Sequence, residues 1–65
     1  MVTIASINKF NNVIELYGLS TDIKPIKNLQ FNNSNYLIRN GSTYYEMDTK
    51  KVFIYDEENQ KWLEM

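Results

Sequence analysis

The chain has 65 residues and a mass of 7.7 kDa, enough for one small domain. It contains no Cys and no His, which rules out disulfides, thiolate metal sites and Cys nucleophiles and removes the commonest general base and metal ligand. A net charge of −1 gives no electrostatic pull toward nucleic acid or an anionic membrane, so neither is expected as a partner.

Apolar residues at 43% and nine aromatics argue for a folded domain rather than a disordered tail. A domain this short buries only about 60% of the surface its unfolded chain exposes. With neither disulfide nor metal cluster in view, assembly is the expected support, first of all with copies of itself. No stretch approaches the roughly 18 apolar residues of a membrane span. The first residues lack a basic region followed by an apolar core, so a complete, soluble, cytoplasmically made product is expected.

Residues 1–17 form an N-terminal element that fits two patterns. Phe10, Val13, Ile14 and Tyr17 have helical spacing, with Ser6 as a possible N-cap and Gly18 just past the end. Val2, Ile4 and the run Val13–Tyr17 also suit strands joined by a turn through Asn8–Asn12. Asn11, Asn12 and Val13 are poor helix formers, which tilts the choice to strands.

Residues 18–40 are expected to be an extended or loop connector. Pro25 bars Lys24 from helical angles, so the stretch 18–27 runs extended. Five of the nine asparagines fall between Asn28 and Asn40, and Asn favours turns because its amide competes for nearby backbone groups. That predicts a loop over 28–35 and a short apolar piece over Tyr36–Ile38.

Residues 41–65 carry the strongest pattern, a three-stranded β-meander. Thr43–Met47, Val52–Tyr55 and Lys61–Glu64 are rich in β-formers and separated by polar turns at Asp48–Lys51 and Glu57–Gln60. Loops of even length pair Met47 with Val52, Glu46 with Phe53, Tyr45 with Ile54 and Tyr44 with Tyr55, then Tyr55 with Trp62 and Ile54 with Leu63. One face then holds Tyr45, Met47, Val52, Ile54 and Leu63. The other holds Tyr44, Tyr55 and Trp62 in a row, flanked by Phe53, Glu46 and Glu64. The fold class is therefore all-β or mostly β: a small antiparallel sheet with a C-terminal meander and an N-terminal strand or short helix.

The middle strand, Val52-Phe53-Ile54-Tyr55, is apolar on both sides, whereas a sheet with one wet face alternates. The aromatic row is either the domain's own core, a subunit or partner interface, or a ligand-binding surface. As an interface it consists of Tyr44, Phe53, Tyr55 and Trp62.

Candidates for chemistry are weak. Asp56-Glu57-Glu58 lacks the ligand spacing and central Gly of an EF-hand loop and reads as a solvated turn. Glu46 and Asp48, two apart on one strand, share a face as paired catalytic carboxylates do, but nothing supplies a pocket around them. Ser20, Ser42 and Thr43 have no base to activate them. Asn40-Gly-Ser42 is a formal glycosylation sequon that reads as a turn. Charge divides along the chain, with residues 1–45 at +2 and residues 46–65 at −3, a pattern that suits head-to-tail packing or simply a solvated surface. No catalytic, cofactor-binding or metal-binding residue is expected.

Two stretches carry a resemblance. Gly18-Leu-Ser-Thr-Asp-Ile-Lys-Pro25, followed by Gly41-Ser-Thr-Tyr-Tyr-Glu-Met-Asp-Thr-Lys-Lys-Val-Phe-Ile-Tyr-Asp56 and then Trp62, resembles small structural proteins of tailed bacteriophages infecting low-GC Gram-positive bacteria, including head-fibre and capsid-associated components. The match covers roughly half the chain. Lys50 stands where that pattern often has Gly, which favours a four-residue loop over a tight glycine turn. Ile23 and Ile26 replace its usual threonines, which makes the segment around Lys24-Pro25 greasier and predicts its burial. The resemblance implies a non-enzymatic virion component, made in the host cytoplasm and working by protein–protein packing as a homo-oligomer or with other virion proteins. It further implies that Leu19, Ile23, Pro25 and Ile26 anchor the chain on neighbouring protein. A tail or connector protein, or a small intracellular binding module encoded by a phage, is the alternative.

Overall fold

Alternation decides the N-terminal third. In a computed structural model that describes all residues from Met1 to Met65, Val13, Glu15 and Tyr17 point to one side and the buried Ile14, Leu16 and Gly18 to the other. That is strand geometry. β1 (Thr3–Asn8) and β2 (Val13–Gly18) form an antiparallel hairpin with Phe10 at its exposed tip, so the helical pattern through Phe10 is not used. A bulge between Ile4 and Ser6 interrupts the β1 ladder.

The segment expected to be loop over 28–35 is a β-hairpin. β3 (Asn28–Phe31) and β4 (Ser34–Leu37) pair through the two-residue turn Asn32-Asn33. Both asparagines have positive φ, 51° and 62°, as a type I′ turn requires. The asparagine richness therefore signalled a turn within a hairpin, not an absence of strands. Ile38, just beyond, donates its amide to the Lys27 carbonyl at 3.0 Å and is buried.

The meander forms as expected, as β5 (Thr43–Glu46), β6 (Lys51–Asp56) and β7 (Lys61–Glu64). The β6–β7 register pairs Tyr55 with Trp62 and Ile54 with Leu63. The β5–β6 register departs from expectation by two residues, pairing Tyr45 with Val52 and Tyr44 with Phe53. Its four-residue turn begins at Met47 rather than Asp48, and an even slip leaves every side chain on its expected face. Asp48 accordingly lies in the turn and not on a strand beside Glu46. Three hairpin loops, 9–12, 47–50 and 57–60, share one design: four residues, the last with positive φ (Asn12 59°, Lys50 61°, Gln60 53°).

The main sheet has the order β1-β2-β5-β6-β7, with β3 and β4 forming a separate two-stranded sheet. The fold is all-β. Its one departure from an antiparallel sheet is the β2–β5 pair, which is parallel, with Leu16 opposite Tyr44 and Tyr17 opposite Tyr45. Parallel neighbours need a crossover of a dozen residues or more. Residues 19–42 supply it, and in returning from the end of β2 to the start of β5 they must cross a face of the sheet. They cross the aromatic one.

Candidate interaction surface

The buried residues lie between the aromatic face and this crossover. Ile14, Leu16, Ile38, Tyr44 and Tyr55 form the core, with Leu29, Tyr36, Phe53 and Trp62 packed against it. Tyr44 and Tyr55 are 0% and 2% exposed, and Trp62 packs on both, with ring centroids at 6.0 and 4.9 Å. Tyr44 and Tyr55 are therefore unavailable to a partner, which corrects their expected role in an interface. Phe53 and Trp62 retain partial exposure as the rim of the same core.

Each aromatic tip is tied to the backbone of the strap formed by residues 19–27. The Tyr44 hydroxyl donates to the Leu19 carbonyl at 3.1 Å. The Trp62 indole donates to the Pro25 carbonyl at 2.9 Å, and the Tyr55 hydroxyl accepts the Lys27 amide at 2.8 Å. Burial pushes the Tyr44 hydroxyl above its ordinary pKa, reinforced by the carboxylates of Asp22, Glu46 and Asp48. Three aromatics with polar tips can be buried only if those tips find partners, and an irregular segment with free backbone groups supplies them. That need was the one available sequence signal for the strap; nothing in the residue pattern said which segment would meet it.

Side chains complete the tie. Lys24 Nζ lies 2.6 Å from Glu46 Oε2, over the rings of Tyr44 and Phe53 at 4.8 and 4.5 Å from their centroids. Thr49 donates to the other Glu46 oxygen, and these hydrogen bonds, Lys24's first, hold the Glu46 carboxyl below its ordinary pKa. Asp48 accepts from the amide and hydroxyl of Ser20, which lowers it likewise. Asp22 is lowered by the terminal ammonium of Met1 and by the Leu19 amide. Glu46 and Asp48, weighed as a catalytic pair, are thus strap fasteners.

The remaining candidates are similarly engaged. Asp56 caps its own turn, accepting from the amides of Glu58 and Asn59 and the Asn59 side chain. Asn40 and Glu57 exchange backbone-to-side-chain bonds at 2.7 and 3.2 Å. Ser42 is buried and accepts the Ile14 amide at 3.1 Å, which leaves the sequon as part of a structural turn. One small groove of about 200 Å³ opens between Lys27, Leu37, Ile38, Tyr55, Glu57 and Gln60.

The segment expected to anchor on neighbouring protein is thus anchored on its own sheet, through backbone. Pro25 is half-buried. Ile23 is 90% exposed and Ile26 53%, so the expected burial of both is corrected; Leu19 is also exposed. The strap turns its hydrogen-bonding groups inward and its aliphatic side chains outward, because the aromatic tips below it need polar partners first.

What stays open is the opposite face. There Tyr17, Tyr45 and Val52 form a row across β2, β5 and β6, at 36%, 41% and 36% exposure. Thr43, Ile54 and Leu63 form the next row, and Leu63 is 42% exposed. No strand or loop of the chain packs over them. This face carries the residues placed opposite the aromatic row from sequence, except that Met47, also exposed, sits in the adjoining turn.

Scans against protein-family models, the curated proteins and the solved structures each return no match to this chain. The interaction surface therefore stands on its geometry.

Proposed function

We propose that this chain is a non-enzymatic structural protein of a tailed-bacteriophage virion, capsid-associated as a head-fibre, decoration or anchor component. It acts by packing its open sheet face against neighbouring protein. The observation that carries this role is the unpaired apolar row Tyr17–Tyr45–Val52, with Ile54 and Leu63 beside it. A sheet face of that composition is ordinarily covered by a second layer, and exposed apolar patches mark interaction sites. The packing surface expected from sequence was the aromatic row; since the strap covers that row, the role passes to the other side of the same sheet. The virion assignment is supported by the resemblance of residues 18–25, 41–56 and Trp62. Ser20, Ser42, Glu46 and Asp48, weighed for catalysis, are tied into the strap and turns, which favours a packing role over a chemical one.

Mass spectrometry of purified particles from the phage that encodes the chain tests the assignment. The expected result is the chain present at a fixed stoichiometry relative to the capsid protein. Recovery only from the infected-cell lysate overturns it and favours an intracellular binding module.

A further inference from the structure

We infer that the open face is a two-fold interface between two copies of this chain, stacked sheet on sheet, with Glu15 of each copy set against Lys61 of the other. This rests on the packing role proposed above and names its first partner.

No groove opens on this face. The groove near Lys27 and Tyr55 lies on the strap side of the molecule, so the open side offers no pocket for a protruding side chain or a small ligand. An apolar sheet face without a groove is matched by another such face, and two sheets stack with their strands roughly aligned about 10 Å apart. The centre of this face, Tyr45, Val52, Ile54 and Leu63, consists of aromatic and β-branched or branched side chains suited to such a layer.

Charge selects a second copy as the occupant. The charged side chains that the strands direct to this face are Glu15 on β2, Asp56 on β6 and Lys61 on β7. Asp56 stands opposite Lys61 and attracts it, but its oxygens are occupied by its own turn and no ion pair closes between the two, which leaves the Lys61 ammonium to reach a partner. Glu15 and Lys61 are separated by β5 and β6, three strand spacings or about 14 Å, too far to pair within one chain. They flank the apolar centre with opposite signs. A two-fold axis parallel to the strands and between β5 and β6 lays β2 of one copy over β7 of the other, twice. Glu15 then stands over the row of Leu63 in the second copy, one residue pair along the strand from Lys61, within reach of two long side chains. The same operation places Tyr45 on Val52 and Thr43 on Ile54.

Size sets the strength. The four overlapping strands, β2, β5, β6 and β7, at about 4.8 Å spacing and each about five residues at 3.3 Å, give a footprint of about 320 Å² per copy. Over both copies that is below the roughly 1,000 Å² of a stable interface, so the dimer is a weak one that dissociates on dilution and fills at high local concentration.

Sedimentation velocity over a concentration series on the full chain tests this, with circular dichroism confirming that each variant is folded. The wild type is expected to pass from monomer to dimer as concentration rises. Glu15→Lys and Lys61→Glu should each weaken the dimer about tenfold or more, because each replaces two attractive pairs by two repulsive ones. An equimolar mixture of the two variants should regain the wild-type affinity, since both crossed pairs are then opposite in sign. Tyr45→Lys, which puts a charge at the centre, should abolish association. A wild type monomeric at every concentration, or a mixture no tighter than its components, overturns the inference. A dimer in solution with no chain in particles removes the virion role and leaves this interface intact; a monomer that is nonetheless found in particles does the reverse.

Discussion

The indole nitrogen of Trp62 donates to the carbonyl of Pro25 at 2.9 Å, joining the last strand to a strap 37 residues earlier in the chain. With the matching bonds from Tyr44 and to Tyr55, it fastens the strap at three points along the aromatic face. The strap is the second layer of a domain that is otherwise a single sheet. Replacing Trp62 by Phe keeps a ring in the core and deletes the donor. The expected loss is about 1–3 kcal/mol of stability in urea unfolding, since the Pro25 carbonyl loses its partner. Amide exchange of residues 19–27 should quicken, whereas that of β6 should change little. Exchange unchanged in the strap would show that this bond does not fasten it.

Acid should loosen the same region. Asp22, Glu46, Asp48 and Asp56 all have folded-state pKa values below their ordinary ones. A depressed carboxylate contributes stability that is present above its unfolded pKa, near 4, and is lost as pH falls through the folded value. Melting temperature should therefore hold from neutral pH to about 5 and drop below about 4. Glu46→Gln leaves the mostly covered Lys24 without its anion. That variant should be less stable than wild type at neutral pH, with the gap closing in acid. A gap that stays constant with pH would mean that the Lys24–Glu46 pair contributes no linkage.

Gly18 ends β2 directly beneath Tyr44. A Cβ built there collides with the Tyr44 hydroxyl and approaches Asp22 Oδ2 to 3.0 Å, two groups that hold Leu19. Gly18→Ala should cost about 1–3 kcal/mol through displacement of the Tyr44 ring, although alanine suits a strand better than glycine. Pairing it with Tyr44→Phe, which removes the colliding oxygen, should recover part of that loss. A strictly additive double variant in urea unfolding would argue against the collision.

Lys50 closes the β5–β6 turn at φ 61°, a left-handed conformation that costs a side-chain-bearing residue about 1 kcal/mol. Lys50→Gly should stabilise the domain by a few tenths to about 1 kcal/mol, the glycine's extra unfolded-state entropy offsetting part of the relief. Thermal unfolding checks this, and a lower melting point would mean that Lys50 makes a contact worth more than its strain.

Local periodicity was enough to place the meander's strands and the membership of its two faces, because strand alternation and an even-length loop assign faces without reference to the rest of the molecule; it left the β5–β6 register two residues off. It also tipped residues 1–17 toward a hairpin, through the weak helix propensity around Asn11–Val13. The asparagine-rich stretch misled for a related reason: Asn32-Asn33 marks a left-handed turn, but whether flanking residues as short as Asn28–Phe31 pair depends on what they pack against. Which face would be hidden was beyond any local signal. Tyr44, Tyr55 and Trp62 became core, and Tyr45, Val52 and Leu63 stayed in solvent, because β2 and β5 lie parallel and the 24 residues between them had to cross one side. The crossover went where aromatic hydroxyls and an indole could bond its backbone. Those bonds join residues 25 to 37 positions apart, and only the folded chain brings them together.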